Sequence, residues 1–548
     1  MTLVRDPSVL VIGLDAACFD RLDPHLEDGT LPNLEMLLGS GVGAPLETTT
    51  PPWTPSAWPS VVTGSRPWTH GIYDFYQYGE ETPRHVSARD VRVPFIWEIL
   101  SWCGYASIVV NVPVTHPTHF FDGSLVPGYI SPETDECLID GAVSSISSLD
   151  ESYRIYPHGD SSKEARLDEY CKLISSRATI AEELAGHHKW SFMMVQFQCT
   201  DSVFHSMGND QNAVRTVFER VDEAIGSLLD RVENETHVFV VSDHGMHRYE
   251  RTFHCNSWLR DEGYLQTSVE SSRWSWNERS REELVGNEDN DELLPSLTTA
   301  LVNGLSRIGV TPNRIEKGLS LVGLEEGFAR LLPASLLIDI VNAGEHVDWD
   351  TSQAYCRSKA SLGIRCNVKG RDPNGVVPAD EFDSLRETLV EELRTITDSA
   401  GRAVFETVYD RHRVHGSDVA NERSAPDIVV RPTDMVWEIS DIVRERTVVE
   451  TNKFNHSYDG LFIAAGDQIN TDATPDPSVV DVTPTILSLF GIQPIESMDG
   501  RILEGLVTGL PADLEDPFVG TRTFVGDQTG VGVSDAVEEQ LQEMGYLE

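Results

Sequence analysis

Residues 9–15, VLVIGLD, form an apolar run that ends on an acidic side chain. Two further runs have the same form and end on an Asp or on an Asp-His pair: FMMVQFQCTD at 192–201 and VFVVSDH at 238–244. Short apolar runs that alternate with helical patterns are typical of a mostly parallel sheet with helices on both faces. Such sheets carry their active sites at the carboxyl ends of the strands. The sequence therefore predicts an α/β fold with a functional site at one edge of a central sheet.

The remaining strands and helices are predicted from hydrophobic periodicity. Strand-like runs lie at 9–14, 107–112, 191–197, 237–241, 427–431 and 461–465. Apolar residues at three-and-four spacing predict helices at about 164–185, 211–232 and 381–396.

A chain of 548 residues is too long for one ordinary core, so we predict a large sheet domain with inserted modules. The stretch after Tyr264 is polar and acidic and then apolar, which suggests a helical insertion that covers the sheet end. The main sheet is expected to resume at PDIVV, 426–430. The predicted units are a catalytic α/β domain (1–264), a mostly helical insertion or cap (265–347), a small strand-containing subdomain (348–425), the second part of the catalytic domain (426–510) and a C-terminal loop and helix (511–548).

The chain is strongly acidic, with a formal net charge of -46 and only seven Lys. An anionic surface of this kind argues against sequence-independent nucleic-acid binding and against docking on acidic lipid. Acidic residues are spread along the whole chain, as in proteins of salt-rich cytoplasms, where ionic strength screens the self-repulsion. We therefore expect an acidic, halophilic-type surface, with an ordinary acidic protein as the alternative.

Targeting signals and cysteine motifs are not visible in the sequence. The N-terminal residues do not resemble a signal peptide, and no apolar run approaches the roughly 20 residues that span a bilayer. The eight Cys form no CxxC pair, so neither a thiol zinc site nor a disulfide framework is indicated. We expect a soluble, cytoplasmic protein without a membrane span, and the sequence leaves its oligomeric state open.

Two pairs of polar residues and a single His are candidates for metal binding. Asp201 and His205 are four residues apart, so on one helical turn both can face one cation. Asp243 and His244 directly follow an apolar run and precede a Gly, which lets the chain turn sharply around a ligand. His456 precedes another strand-like run, and on its own it is an ordinary loop His. Each signal is weak alone, and the case for a site is cumulative.

The segment TTTPPWTPSAWPSVVTG, 48–64, offers a hydroxyl nucleophile. Its first prolines bias the residues before them to extended conformations, and a helix is expected to start near Pro55 with Thr54 as its N-cap. Free backbone N–H groups at a helix start are suited to hold a phosphoryl oxygen. Ser56 and Ser60 are alternative nucleophiles inside the first turns, and a purely capping role for Thr54 is also open.

These motifs together resemble the alkaline phosphatase superfamily, in its type I phosphodiesterase/nucleotide pyrophosphatase branch. The resemblance is carried by Asp15, the TPSAW and VTG segments at 54–64, Asp201 with His205, the Asp-His-Gly at 243–245, Asn455-His456, and supporting stretches such as HGIYDF, KGRDPNG and DVTPTILSLFGI. It spans residues 9 to about 504 and implies an alkaline-phosphatase-like fold.

The resemblance also implies two metal sites and a covalent mechanism. One divalent ion would be held by Asp201, His205 and His456, and the other by Asp15, Asp243, His244 and the Thr54 oxygen. Imidazole nitrogen with carboxylate oxygen suits Zn²⁺ best, with Mn²⁺ or another divalent ion as the alternative. A metal-activated Thr54 would attack a phosphodiester or phosphoanhydride and form a phosphothreonine.

The substrate of such a hydrolase, a small phosphoester, stays open in this sequence. Where nucleotide-cleaving members carry an Asn that binds the phosphoryl oxygen, HGIYDF places Phe75, and Asp74 and Tyr73 beside it are further candidate substrate contacts. A phosphomonoesterase, a phosphoryl or head-group transferase and a non-catalytic metal-binding protein are the alternatives. A sulfatase is disfavoured, because TPSAW lacks the CxPxR context.

Overall fold

The protein is described by a computed structural model over residues 7–78, 84–133, 153–158, 162–187, 189–233, 235–268, 346–411, 424–511, 514–517, 519–520 and 522. The strands in these ranges are, in chain order, β1 (Val9–Leu14), β2 (Gly41–Glu47), β3 (Tyr76–Gln77), β4 (Arg84–His85), β5 (Ser107–Val110), β6 (Gly123–Val126), β7 (Phe192–Phe197), β8 (His237–Val241), β9 (Gly245–His254), β10 (Thr267–Ser268), β11 (His346–Val347), β12 (Ala354–Tyr355), β13 (Gly363–Cys366), β14 (Phe405–Asp410), β15 (Ile428–Pro432), β16 (Trp437–Ser440), β17 (Val448–Ser457) and β18 (Asp459–Ala465).

The helices follow the amphipathic patterns of the sequence. In chain order they are α1 (Phe19–Glu27), α2 (Pro32–Ser40), α3 (Thr54–Thr63), α4 (Pro67–His70), α5 (Ile96–Trp102), α6 (Lys163–His187), α7 (Cys199–Met207), α8 (Gln211–Leu229), α9 (Cys255–Asp261), α10 (Phe382–Leu393) and α11 (Val482–Leu489). The three helices predicted from periodicity correspond to α6, α8 and α10. Among the helices of the described residues, none has both the length and the apolar content that a bilayer crossing requires.

The central sheet has seven strands in the order β2-β18-β8-β1-β7-β5-β6. Strands β8, β1, β7, β5 and β6 are parallel, and β18 runs antiparallel to both of its neighbours. Every residue of β1, β7 and β8 is buried, which explains their continuous apolar character. The predicted mostly parallel α/β architecture is confirmed. The sequence analysis missed strand β2, which has seven residues, and strand β6, which has four.

A separate four-stranded sheet has the order β12-β13-β15-β14. Strand β15 pairs antiparallel with β13 and with β14, so the expectation that the main sheet resumes at 426–430 is wrong. Its apolar residues, IVV, indicate a buried strand but not which sheet buries it, because periodicity carries no pairing information. The central sheet resumes only at β18.

A third sheet, in the order β16-β9-β17, follows directly from β8. Strand β17 pairs antiparallel with β9, with His456 opposite Met246 and Ser457 opposite Gly245. This register holds the residues just before β18 against the residues just after β8. Two distant parts of the chain therefore meet at the carboxyl end of β8.

The predicted insertion at 265–347 lies outside the described residues, except for its two ends. Those ends form β10 and β11, which pair with each other, so the chain leaves and returns at one place. The predicted C-terminal loop and helix, 511–548, also lies largely outside the described residues. The division into domains stays a prediction.

Candidate metal centre

Asp201, His205 and His456 form the first of two compact groups of potential metal ligands. Asp201 and His205 lie one turn apart on α7, as predicted from their spacing, and β17 contributes His456. The Oδ1 atom of Asp201 lies 3.1 Å from Nε2 of His205 and 3.3 Å from Nε2 of His456. The two imidazole Nε2 atoms are 3.2 Å apart. One carboxylate and two imidazoles therefore converge on one point.

Asp15, Asp243 and His244 form the second group. Asp15 follows the last residue of β1, and the other two residues connect β8 to β9. The Nε2 atom of His244 lies 3.1 Å from Oδ2 of Asp243 and 3.6 Å from Oδ1 of Asp15. All three side chains are fully buried. The carboxyl ends of neighbouring parallel strands bring these residues together, as the sequence analysis expected.

The two groups adjoin each other. The rings of His244 and His456 are stacked, with centroids 3.6 Å apart and an interplanar angle of 18°. The β9–β17 register, which sets His456 opposite Met246, accounts for this contact. The structure thus brings all six predicted Asp and His ligands into one continuous site.

Backbone carbonyls set the tautomers of two of these histidines. The Nδ1 atom of His456 lies 2.8 Å from the carbonyl oxygen of Pro52, and Nδ1 of His244 lies 3.1 Å from that of Gly245. A carbonyl only accepts, so each Nδ1 must carry the proton and donate. Their Nε2 atoms, which face the carboxylates, are then the basic nitrogens, which is the arrangement found for metal-ligating His.

One oxygen of each of the three carboxylates has no hydrogen-bond partner among the described residues. Asp15 Oδ2 accepts hydrogen bonds from Trp58 Nε1 at 2.9 Å and from Gln196 Nε2 at 2.8 Å. Within the described residues, three buried carboxylate oxygens accept no hydrogen bond: Asp15 Oδ1, Asp201 Oδ1 and Asp243 Oδ2. Buried charged oxygens of this kind are costly unless a cation or donor faces them. The donor set therefore fits divalent cations.

The electrostatics of the site point the same way. Burial raises the pKa of Asp15 well above its usual range, and the neighbouring charges of Asp243 and Asp201 add to the effect. Burial also acts to raise the pKa of Asp201, but the proximity of His205 and His456 outweighs it and the pKa is lowered. Burial, reinforced by His244, lowers the pKa of His456 to about 3, so this imidazole is a neutral potential ligand. For Asp15, the described residues supply too little positive charge to offset burial and the two neighbouring carboxylates.

Thr54 lies beside the second group of ligands. Its Oγ1 atom is 3.3 Å from Nε2 of His244, and the side chain is 2% exposed. The prediction that Thr54 is the N-cap is wrong by one residue: the carbonyl of Trp53 accepts from Ala57 N–H at 2.8 Å, so Trp53 is the N-cap and Thr54 is the first helical residue. Local pattern rarely defines a helix boundary more closely than this.

The two alternative hydroxyls in α3 have other partners. Ser56 Oγ donates to a backbone carbonyl, with Trp53 O at 2.9 Å and Pro51 O at 3.0 Å. Ser60 Oγ lies 2.9 Å from Nε2 of His70. Both serines therefore have local partners that hold the helix and the segment that follows it.

The predicted substrate contacts lie in the buried stretch that follows α4. Asp74 accepts hydrogen bonds from the backbone N–H of Phe75 at 2.6 Å, from Tyr78 OH at 3.2 Å and from Ser358 Oγ. Burial raises the pKa of this carboxyl. Phe75 and Tyr73 are 3% and 1% exposed, and both are core residues. Asp74 thus ties this stretch to the small subdomain, and substrate contact by the three residues stays a prediction.

Sequence reasoning missed the side chains that orient Asp15. Gln196 is the middle link of a buried chain, because Asn111 Nδ2 donates to Gln196 Oε1 at 2.6 Å and Gln196 donates to Asp15. A signal was available: Gln196 is the one polar side chain inside the otherwise apolar run FMMVQF. No comparable signal in the sequence marked Trp58, because a Trp in an apolar helix is normally interpreted as a core residue.

Gly13 in β1 provides a test of this orientation. A Cβ there would lie 2.6 Å from Trp58 Cη2 and 3.2 Å from Gln196 Cγ, the two side chains that hold Asp15. We expect Gly13→Ala to displace them and to weaken divalent-metal binding by about 10- to 100-fold, the usual cost of losing outer-shell support. Calorimetric titration with Zn²⁺ measures the change.

The matched control is Gly39→Ala in α2, where no atom lies within 4 Å of an added Cβ. This substitution should leave the metal affinity unchanged and should slightly stabilise the helix. Equal metal affinities in the two variants would contradict the assigned role of Trp58 and Gln196.

The sequence matches a known family over most of its first half. The profile of the family described as type I phosphodiesterase/nucleotide pyrophosphatase matches residues 9–303, more than half of the 548-residue chain. The chain belongs to this family. It is accordingly a hydrolase of phosphoester bonds, of the phosphodiesterase/nucleotide pyrophosphatase type, as the sequence analysis predicted. The matched range holds every candidate ligand named above except His456.

The structure was also compared with solved structures. Phosphonoacetate hydrolase from Sinorhizobium meliloti 1021, in complex with phosphonoformate, has a TM-score of 0.51 and 14% sequence identity, and the match covers 87% of this chain and 94% of that one. Murine ectonucleotide pyrophosphatase/phosphodiesterase 5 has a TM-score of 0.47 and 14% identity, with 89% and 96% covered. A search of the curated proteins gave no match. The first likeness confirms the alkaline-phosphatase-like fold.

Proposed function

We propose that this family member hydrolyses phosphodiester or phosphoanhydride bonds with Thr54 as its nucleophile, two bound divalent cations and a covalent phosphothreonine intermediate. The observation that carries the proposal is the position of the Thr54 hydroxyl, 3.3 Å from Nε2 of His244 and beside two adjoining groups of metal ligands. A hydroxyl is a weak nucleophile unless a metal or a base removes its proton. A cation held by the adjoining ligands would activate Thr54 in this way.

The ligands divide between the cations by their groups. Asp201, His205 and His456 would hold one ion. Asp15, Asp243 and His244, with the Thr54 oxygen, would hold the other. Zn²⁺ suits imidazole nitrogen combined with carboxylate oxygen, and Mn²⁺ is the alternative. When bound, two such ions would lower the pKa of the nucleophile and offset the charge that develops on the phosphoryl and leaving oxygens.

The reaction proceeds in two displacements at phosphorus. In the first, a bond forms between Thr54 Oγ1 and phosphorus while the bond to the leaving oxygen breaks, and the proton of the hydroxyl is released. The leaving group takes up a proton and departs. In the second, water attacks phosphorus, the bond to Oγ1 breaks and the threonine hydroxyl is restored. His456 and His244, with Nδ1 held by backbone carbonyls, keep their rings in place throughout.

Charge explains why this protein would need cations to hold an anionic substrate. The three Asp contribute three negative charges, and the whole chain carries a net charge of -46. Two dications convert the local sum of -3 to +1, which makes a cationic site in an anionic body. In other phosphate-binding sites, Lys and Arg serve this purpose. Arg371, by contrast, makes two hydrogen bonds of 2.7 Å to Asp427.

A substrate panel tests the proposal. In high salt with added Zn²⁺ or Mn²⁺, bis-p-nitrophenyl phosphate should be hydrolysed faster than p-nitrophenyl phosphate, and a chelator should stop both reactions. Re-addition of the metal should restore the rate. A preference for the monoester would instead indicate a phosphomonoesterase, and products joined to added glycerol would indicate a head-group transferase. Full activity in the metal-free protein would rule out the proposed mechanism.

A further inference from the structure

Tyr129 lies at the same sheet edge as the proposed metal ligands. It follows the last residue of β6 by three positions, and β6, β5, β7 and β1 are successive parallel strands of the central sheet. Asp201 follows the end of β7, and Asp15 follows the end of β1. The carboxyl ends of these strands form one edge, so Tyr129 stands beside the catalytic centre.

The hydroxyl of Tyr129 is buried and has no hydrogen-bond partner within the described residues. The side chain is fully buried. Its neighbours behave differently: Tyr156 OH donates to Ser131 O at 3.0 Å, and Tyr153 OH lies 3.3 Å from Asn111 Oδ1. Buried tyrosine hydroxyls usually find a partner, because an unmade hydrogen bond in the interior is costly. No group in the described part of the chain completes this hydrogen bond, so the hydroxyl is available to a bound ligand.

The surroundings of Tyr129 are aromatic, and the charges of two proposed ligands act on its hydroxyl. Its ring packs edge-on against two aromatic rings. The ring centroids are 6.4 Å apart for Phe75 and 6.0 Å apart for Tyr156. Burial raises the pKa of Tyr129 well above its usual range, and the neighbouring Tyr156, Asp201 and Asp15 raise it further. The hydroxyl therefore stays protonated, as a hydrogen-bond donor must, and it experiences the charge of both carboxylates.

The backbone around Tyr129 is held in an unusual conformation. Val114 and Ile130 have φ angles of 59° and 64°, in the left-handed region that β-branched residues rarely adopt. The N–H of Val114 donates to the carbonyl of Tyr129 at 3.1 Å. Strained conformations persist where the surrounding structure over-determines them, commonly at functional sites. Here they fix the position of Tyr129 between the ends of β5 and β6.

We propose that the Tyr129 hydroxyl donates a hydrogen bond to a phosphoryl oxygen of the bound substrate and so acts as a further catalytic residue. This inference rests on the proposed function. A phosphoryl oxygen gains negative charge during each displacement at phosphorus, and a preplaced donor in a water-poor site stabilises that charge. The Tyr129 hydroxyl then donates a hydrogen bond only when the substrate is bound.

Tyr129→Phe tests the inference, because it removes the hydroxyl and keeps the ring. With bis-p-nitrophenyl phosphate and the metal-loaded protein, we expect kcat/KM to fall by roughly 10- to 100-fold, mainly in kcat, the range for losing one donor to a charged oxygen. Orthovanadate, a phosphoryl analogue, should inhibit this variant less strongly by a similar factor. The urea midpoint of unfolding should not fall, since the hydroxyl has no hydrogen-bond partner among the residues that the structure describes.

Tyr156→Phe is the matched control. It removes a neighbouring phenol that is bonded within the fold, so it should lower the unfolding midpoint and leave orthovanadate inhibition unchanged. A Tyr129→Phe protein with normal turnover and normal vanadate inhibition would overturn the inference, and so would a lowered unfolding midpoint.

Thr54→Ala, measured in parallel, shows whether the inference on Tyr129 is wrong or the proposed function itself is wrong. If the unmodified protein is active, Thr54→Ala is inactive and Tyr129→Phe is normal, only the inference on Tyr129 is wrong. If Thr54→Ala retains the activity, or no phosphodiester is cleaved, the proposed function itself is wrong.

Discussion

Thr54→Ala should reduce phosphodiester turnover by about 10³- to 10⁶-fold, the range seen when a covalent nucleophile is removed from an otherwise intact site. In the proposed mechanism Thr54 supplies the atom that attacks phosphorus, and the neighbouring Ser56 hydroxyl is bonded to backbone carbonyls. The fold should survive, because Ala is well tolerated as the first residue of a helix. Steady-state kinetics on bis-p-nitrophenyl phosphate in high salt measure the effect.

Two further variants make this result specific. Thr54→Ser keeps a hydroxyl at the same position and should retain measurable turnover, whereas Ser56→Ala removes a hydroxyl from the same helical turn and should leave kcat nearly unchanged. Acid quenching during turnover should trap phosphate on Thr54 in the unmodified protein, detectable by mass spectrometry of the peptide. If the phosphate is found on Ser56, or if Thr54→Ala turns over normally, the nucleophile has been assigned to the wrong residue.

Local signals in the sequence were enough to predict part of the site. Asp201 and His205 are four residues apart, and the structure places them on one turn of α7. Asp15 and Asp243 follow continuous apolar runs, and both lie at the carboxyl ends of buried parallel strands. Helical and strand periodicities report local burial directly, so inferences drawn from one short segment could succeed.

Inferences that depend on pairing between distant segments could not be drawn in this way. His456 joins the site because β17 pairs with β9 in a register that sets it opposite Met246. On its own it was predicted to be a loop His, and the case for it as a ligand was cumulative, based on the strand-like run that follows it and on the family resemblance. The misassignment of β15 to the central sheet has the same cause, since the residues IVV are apolar in either sheet.

The residues that support the ligands are the least visible from sequence. Gln196 and Trp58 act through single hydrogen bonds to Asp15, and the carbonyl of Pro52 acts through its backbone alone. A backbone carbonyl has no residue-type signature, and Trp58 sits in a helix where an aromatic core residue is expected. These contacts become evident only when strands, helix and loop are packed together.

Ligand substitutions in the two groups should each remove one of two bound cations. We expect Asp201→Asn to lose the ion held with His205 and His456, and Asp243→Asn to lose the ion held with Asp15 and His244. A neutral amide replaces a carboxylate in each variant, so the remaining imidazoles face too little negative charge. The loss in affinity should exceed the ~10- to 100-fold cost of removing an outer-shell partner. Metal analysis after dialysis should give about one equivalent per chain instead of two.

Asp222→Asn is the matched control, because Asp222 is equally buried but lies on α8, where it accepts hydrogen bonds from the backbone N–H groups of Asn33 and Leu34. This variant should be less stable and should still bind two equivalents. Thermal unfolding gives a second readout: a cation present at 100 times its Kd stabilises the native state by about 2.7 kcal/mol, so added Zn²⁺ should raise the Tm of Asp222→Asn by nearly as much as that of the unmodified protein. The rise should be smaller in Asp201→Asn and in Asp243→Asn. If all three variants retained two equivalents and the full rise in Tm, the cations would have to bind elsewhere, and a site made by these two groups would be excluded.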